Sequence, residues 1–187
     1  MEFIYHGVPN GLEGKILYPL FSLKEKFPVL FELEIKKYDD HPKRKELPFK
    51  RISILNCQRG QVLHFSPINP SLIFQALKTV FPENNRSVKF FKIPISKAYG
   101  LPIALFDMNR KGYEFGKEDP DHVFDFVNID DYRELKIVPP QAYTFFKEWK
   151  QRGERDSPAW GKVPHIFIKG PIDITGCEII DWRDSVI

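Results

Sequence analysis

Short apolar runs separated by turn residues constrain the fold of this chain more than any other feature of its sequence. They follow one another with a few helical stripes between them, in no regular strand–helix–strand alternation. That order favours an α+β fold with a largely antiparallel, split sheet and a few flanking helices, and the length favours a single domain over residues 1–187. The runs that predict strands are residues 2–6, 52–56, 61–66, 88–94, 101–107, 123–127, 163–170 and 177–182.

Two segments that open on proline predict helices with defined ends. Asn69 is a favourable N-cap residue, and Pro70 then stands at the first position of SLIFQALKTV. Pro140 begins the second helix, QAYTFFKEWKQR, which Gly153 ends. Residues 27–38 carry apolar positions at helical spacing but also alternate locally, so we favour a helix there and leave a strand open.

The most basic segment is the HPKRKELPFKR run at residues 41–51. Its two prolines predict a loop. The positive side chains form either a solvated surface or an electrostatic footing for a phosphate-bearing ligand, and both interpretations stay open. The net charge of +3 does not by itself predict nucleic-acid binding. The polar, aspartate-rich residues 108–133 are predicted to be mostly loop, with a short strand near their end.

Cysteine usage and the absence of long apolar stretches predict a cytoplasmic protein. Cys57 and Cys177 are too few for a disulfide framework and are expected to be free thiols. No stretch reaches the roughly 18 apolar residues of a membrane span. The N-terminal MEFIYHGV lacks the basic region and long apolar run of a signal peptide, so we expect no contact with a membrane.

Three of the histidines lie at or near the end of an apolar run. They are His6 in FIYHGVPNG, His64 in GQVLHFSP and His165 in KVPHIFIKG. Near neutral pH a histidine transfers protons, binds metals or holds a ribose or phosphate oxygen, although each of these could also be a packed or surface residue. Because each block joins a predicted strand to a turn, we expect His6, His165 and either His64 or Ser66 to line one concave pocket.

A metal site is one way to use three histidines, since zinc accepts three imidazoles and activates a bound water. No HxH or HExxH spacing fixes two ligands on one element, so we predict no stoichiometric zinc. Ser66 and Cys57 also lack the surroundings of known nucleophile motifs.

The three histidine blocks resemble segments of the ADP-ribosyltransferase-like superfamily. FIYHGVP resembles the opening strand, where a Tyr-His-Gly-Thr block presents a histidine to the ribose of NAD. GQVLHFSPINPSLIFQAL is similar to the second block of the DNA-modifying toxins and the tRNA 2′-phosphotransferases, and KVPHIFIKGPIDITGCEII is similar to the late block that carries the catalytic residue. The chain also resembles small bacterial proteins that share the IYHGVP, VLH-SP and VPHI blocks.

The resemblance implies a site for NAD, as ligand or substrate, or for a related nucleotide. His6 is expected to hold the ribose, with Phe65 and Ser66 on the nicotinamide side. Two residues differ from the family's pattern in ways that bear on the transfer of ADP-ribose. Val8 replaces the threonine of the first block, and His165 stands where ADP-ribosyltransferases usually carry a glutamate. The implied catalytic residues are His6, Ser66 and His165, and the implied ligand-binding residues are Tyr5, Gly7, Arg44, Arg51, His64 and Phe65.

The sequence therefore predicts an ADP-ribosyltransferase-like protein that binds NAD, a related nucleotide-like small molecule or a nucleic acid in a histidine-lined cleft. Two alternatives from other classes stay open. One is a non-enzymatic interaction module that binds a protein partner in a bacterial conflict system of the toxin–antitoxin kind. The other is a histidine-metal hydrolase.

Overall fold

Strands of two to six residues and five helices of four to twelve residues follow one another irregularly in the part of the chain that the computed structural model describes, residues 1–40, 42–114, 117, 119–153 and 159–185. The predicted α+β class is confirmed. The strands are β1 Phe3–Gly7, β2 Ile16–Leu17, β3 Arg51–Ile52, β4 Cys57–Gln58, β5 Leu63–Phe65, β6 Lys89–Pro94, β7 Ile103–Phe106, β8 Phe124–Phe126, β9 His165–Ile168, β10 Ile172–Asp173 and β11 Glu178–Asp181. The helices are α1 Leu20–Lys26, α2 Pro28–Lys36, α3 Pro42–Lys45, α4 Pro70–Val80 and α5 Pro140–Gln151.

The main strands form two antiparallel sheets that meet along one line. One sheet has the order β1-β6-β11 and the other has the order β5-β9-β7-β8. Tyr5 and Ser66 join them, since each donates its backbone N–H to the backbone oxygen of the other at 3.0 and 2.8 Å. The sheet is therefore split, as predicted, and strands β1, β5 and β9 lie side by side across the junction.

Side chains along each strand of the four-stranded sheet alternate between a face that packs in one core cluster and the opposite face. Ile166 and Ile168 of β9 pack with Leu63 and Phe65 of β5 in one buried cluster. Because successive side chains of a strand point to opposite faces, the residues between them in sequence turn the other way. That second face of β9 begins with His165.

The helix predictions are confirmed where capping chemistry supported them. Asn69 accepts a hydrogen bond from the backbone N–H of Ser71 at 3.0 Å and caps α4. Helix α5 begins at Pro140, and Gly153 follows its end with φ of 71°, a conformation that glycine adopts without strain. Residues 28–36 form helix α2, so the strand alternative for that stretch is wrong.

Two local predictions about short segments are wrong. The run at 52–56 ends its strand at Ile52 and continues as a 3₁₀ turn, with Asn56 at φ of 45°. Ile52 and Leu55 are buried by packing on the four-stranded sheet rather than by strand pairing. The basic run predicted as loop forms α3, a 3₁₀ turn and the first residue of β3, and its His41 lies outside the described residues. The sequence did not indicate α1, β2 or β10.

The segment 108–133 forms loops around strand β8, as predicted, apart from residues 115, 116 and 118, which lie outside the described ranges. Cys57 and Cys177 are free thiols. Helix α5 has 12 residues, and none of the helices in the described ranges is long and apolar enough to cross a membrane.

A pair of buried tyrosines ties the segment around residue 134 to β1. The Tyr5 hydroxyl donates to Glu134 Oε1 at 2.9 Å, and the Tyr132 hydroxyl donates to the backbone oxygen of Phe3 at 2.9 Å. Burial and the neighbouring Glu134 carboxylate raise the pKa of Tyr5, so its hydroxyl stays protonated and donates. Tyr5 therefore stabilises a buried carboxylate on the face of β1 opposite to His6.

We expect Tyr5→Phe to destabilise the protein more than Tyr132→Phe. Loss of a hydrogen bond to a charged group costs about 1.5–3 kcal/mol, whereas loss of one to a neutral carbonyl costs about 0.5–1.5 kcal/mol. Urea unfolding followed by circular dichroism measures both values. Equal losses in the two variants would contradict a special role of the Tyr5–Glu134 contact.

Candidate functional site

A cavity of about 1230 Å³ lies on the face of the four-stranded sheet opposite to Ile166 and Ile168, between it and the helices α1–α3 and α5. Pockets for small ligands span roughly 300–1,000 Å³, so this one has room for a dinucleotide. Its floor is formed by His64, Phe106, His165 and Phe167, with Arg59 and Lys162 on the same side, one wall by Leu23, Leu30, Glu34, Tyr38 and Arg44, and the other wall by Phe145 and Trp160.

His6, His64 and His165 all line this cavity, as the sequence predicts. They come from the three strands that lie side by side at the sheet junction, β1, β5 and β9. The residues are 58 or more positions apart in pairs, so only the sheet topology brings them together.

His6 is held in one orientation by its own strand and by β5. Its Nδ1 lies 2.6 Å from the backbone oxygen of Gly7, and a carbonyl only accepts, so Nδ1 carries the proton. The ring of Phe65 meets the imidazole edge-on at 5.3 Å. Burial lowers the pKa of His6, against the opposing effects of the Gly7 carbonyl and Glu34. The neutral ring therefore keeps Nε2 as a hydrogen-bond acceptor.

His64 and His165 are also neutral at physiological pH. Burial, and then the nearby Arg59 cation, lowers the pKa of His64 to about 3 and that of His165 to about 4. His64 packs on Phe167 with ring centroids 4.5 Å apart, and its Nε2 lies 3.4 Å from the Arg59 backbone oxygen. The site thus presents uncharged imidazoles, which suit hydroxyl groups of a ligand better than an anion.

Arg59 is a functional candidate that the sequence did not indicate. Its guanidinium lies over the rings of Phe106 and Phe167, at 4.6 and 5.4 Å, and its Nη2 is 2.8 Å from Asp119 Oδ2. It stands in a 3₁₀ turn that the side chains of Gln58 and Gln61 cap. Nothing in the CQRG segment gives a spacing relation to the histidines, so the fold alone reveals this residue.

Ser66 does not line the cavity, and its predicted place beside the histidines is wrong. It is buried, and its Oγ donates to the backbone oxygen of Ile68 at 2.7 Å and accepts from the Ile68 N–H at 3.0 Å. Together with its backbone bonds to Tyr5, these contacts fix the sheet junction and the turn into α4. Tyr5 likewise points away, towards Glu134.

Of the four remaining predicted residues, two support His6 from behind, one lies at the rim of the cavity and one lies outside it. Phe65 is buried behind His6, and Gly7 contributes the carbonyl that holds His6, so neither lines the cavity. Arg44 lines it at the rim, paired with Asp40 and 5.8 Å from the ring of Tyr38. Arg51 is exposed outside the cavity, with Nη2 3.5 Å from Asn56 Oδ1, because β3 directs it away from the sheet floor.

Comparisons with protein-family models, with curated proteins and with solved structures find no match for this chain. Among the side chains that the structure describes, no group of three or more His, Cys, Asp and Glu residues is arranged to hold a metal ion. The three histidines line the same cavity, each on its own strand.

We expect the neutral histidines to make the protein sensitive to acid. In the unfolded chain a histidine binds a proton below about pH 6.5, whereas His64 and His165 in the folded protein resist protonation down to about 3 and 4. Stability is therefore lost as the pH falls from about 6.5 towards 4, by about 1.4 kcal/mol per pH unit for each such histidine. Urea unfolding at pH 7 and pH 5 measures the loss.

The double variant His64→Gln/His165→Gln should lose less stability than the wild type between these two pH values. His122→Gln is the matched control, because His122 is exposed and lies outside the cavity. An unchanged pH dependence in the double variant would show that these histidines do not cause the acid sensitivity.

Proposed function

We propose that this protein binds NAD or a closely related nucleotide in the histidine-lined cavity. One observation carries the proposal: the blocks that resemble ADP-ribosyltransferase-like proteins form the neighbouring strands β1, β5 and β9, and the histidine of each lines the same cavity.

The chemistry of the lining suits such a ligand. NAD combines aromatic rings, ribose hydroxyls and phosphates. The rings of Trp160, Tyr113 and Tyr38 line the cavity and offer stacking surfaces. The acceptor nitrogen of His6 suits a ribose hydroxyl, which is the role that the resemblance implies for it. Arginine and lysine side chains at the rim and on the floor suit the phosphates.

Transfer of ADP-ribose requires more than binding. Cleavage of the nicotinamide–ribose bond builds positive charge on the ribose, and a carboxylate near that carbon stabilises it. Strand β9 offers His165 instead, whose pKa of about 4 keeps it neutral at physiological pH. We therefore expect nucleotide binding with slow release of nicotinamide.

Isothermal titration calorimetry and thermal melting with NAD and with ADP-ribose test this function. A ligand at about 100 times its Kd stabilises the folded state by about 2.7 kcal/mol, which raises the melting temperature measurably. His6→Ala should remove the shift, because it deletes a ligand contact while Phe65 behind it stays buried. Nicotinamide release is followed in the same samples.

The matched control is His122→Ala, an exposed histidine outside the cavity that should leave binding unchanged. Neither heat nor a thermal shift at millimolar NAD or ADP-ribose, with the wild-type protein folded, would refute the proposal. An equal loss of binding in the His6 and His122 variants would refute the assignment of the site.

A further inference from the structure

Arg59 has a buried guanidinium, two of whose three nitrogens make no aligned hydrogen bond with the described residues. The residue is 8% exposed, and Nε and Nη2 have no hydrogen-bond partner in the described part of the chain. Asp119 lies at ion-pair distance, but the N–H groups are not aligned with its oxygens. A buried charged donor without a hydrogen-bond partner costs free energy. An acceptor atom of a ligand at this guanidinium would therefore be favourable.

The carboxylate beside Arg59 is shared with a second cation. Lys50 Nζ lies 3.8 Å from Asp119 Oδ1, while Arg59 Nη2 approaches Oδ2. Asp119 therefore holds the guanidinium in place over Phe106 and leaves donor capacity for an anion in the cavity.

Lys162 brings another positive charge to the same part of the cavity. Its Nζ lies 5.6 Å from the centre of the Tyr113 ring, and that ring packs against Phe106 at 5.5 Å, beneath Arg59. Lys162 has φ of 64°, a left-handed conformation that costs energy for a lysine. Its backbone is fixed there by Asn109, whose side chain donates to the Lys162 oxygen at 3.0 Å.

We propose that Arg59 and Lys162 form an anion subsite on the floor of the cavity that binds a phosphoryl group of the ligand. The proposal deepens the nucleotide-binding function and rests on it only for the identity of the rest of the ligand. It assigns the phosphates to the floor, next to the rings of Phe106 and Tyr113, which pack edge-on, instead of to the rim residue Arg44 or to Arg51.

Calorimetry with inorganic pyrophosphate, ADP-ribose and adenosine tests the subsite. Arg59→Gln and Lys162→Gln should each weaken binding of pyrophosphate and of ADP-ribose by about 10- to 100-fold, the usual effect of a lost charge-assisted hydrogen bond. The affinity for adenosine, which has no phosphate, should fall by less than about threefold in the same variants. Arg51→Gln, outside the cavity, is the matched control and should leave all three affinities unchanged.

Two other variants, one of them new, keep the test decisive if Arg59→Gln does not fold. Lys162→Gln leaves the Arg59–Asp119 pair intact, so its folding does not depend on that buried charge. Asp119→Asn removes the carboxylate that competes for Arg59, and should lower the melting temperature of the free protein while enlarging the shift caused by pyrophosphate. A purely structural role for Arg59 would not enlarge that shift.

The possible outcomes separate the subsite from the function. Binding of ADP-ribose that is unchanged by the Arg59 and Lys162 variants, or lost only in Arg44→Gln, overturns the subsite and leaves the nucleotide function standing. Pyrophosphate binding that depends on Arg59 and Lys162, without any nucleotide binding, supports the subsite and refutes the nucleotide function. If the folded wild type binds none of the probes, both are overturned.

Discussion

Two backbone hydrogen bonds between Tyr5 and Ser66 connect the two sheets, and the functional geometry depends on them. They set β1 beside β5, so that His6 of one sheet faces the same cavity as His64 and His165 of the other. The side chain of Ser66 reinforces this junction through Ile68, and the side chain of Tyr5 fastens the opposite face through Glu134. Tyr5 and Ser66, which the sequence suggested as site residues, thus position the strands that carry the histidines.

The charge states of the side chains in the cavity follow from how far the protein covers them. The half-buried position of the imidazoles disfavours their charged forms, and the Arg59 cation lowers the pKa of His64 and His165 further. The positive charge of the floor therefore belongs to Arg59 and Lys162, while the histidines supply neutral acceptors. This division suits a ligand that carries both hydroxyls and an anionic group.

Alternation along short strands explains which residues of each histidine block reach the cavity. In FIYHG, His6 lines it and Tyr5 points to the other face; in LHF, His64 lines it and Phe65 is buried behind His6. A strand has only two faces, so a block of neighbouring residues cannot all contact one ligand. The sequence alone could not assign the faces, because these strands are too short for their apolar pattern to decide.

The sequence by itself determined the fold class, helices α4 and α5 and the histidine-bearing strands, because these depend on local capping chemistry and apolar runs. The tertiary structure decided the rest. Packing turned the 52–56 run into a 3₁₀ turn, and the sheet junction removed Ser66 from the site. Arg59 joins the histidines only in three dimensions, since a guanidinium placed over Phe106 and Phe167 depends on contacts about 50 and 110 residues away in sequence. Such long-range contacts leave no spacing that a sequence pattern could reveal.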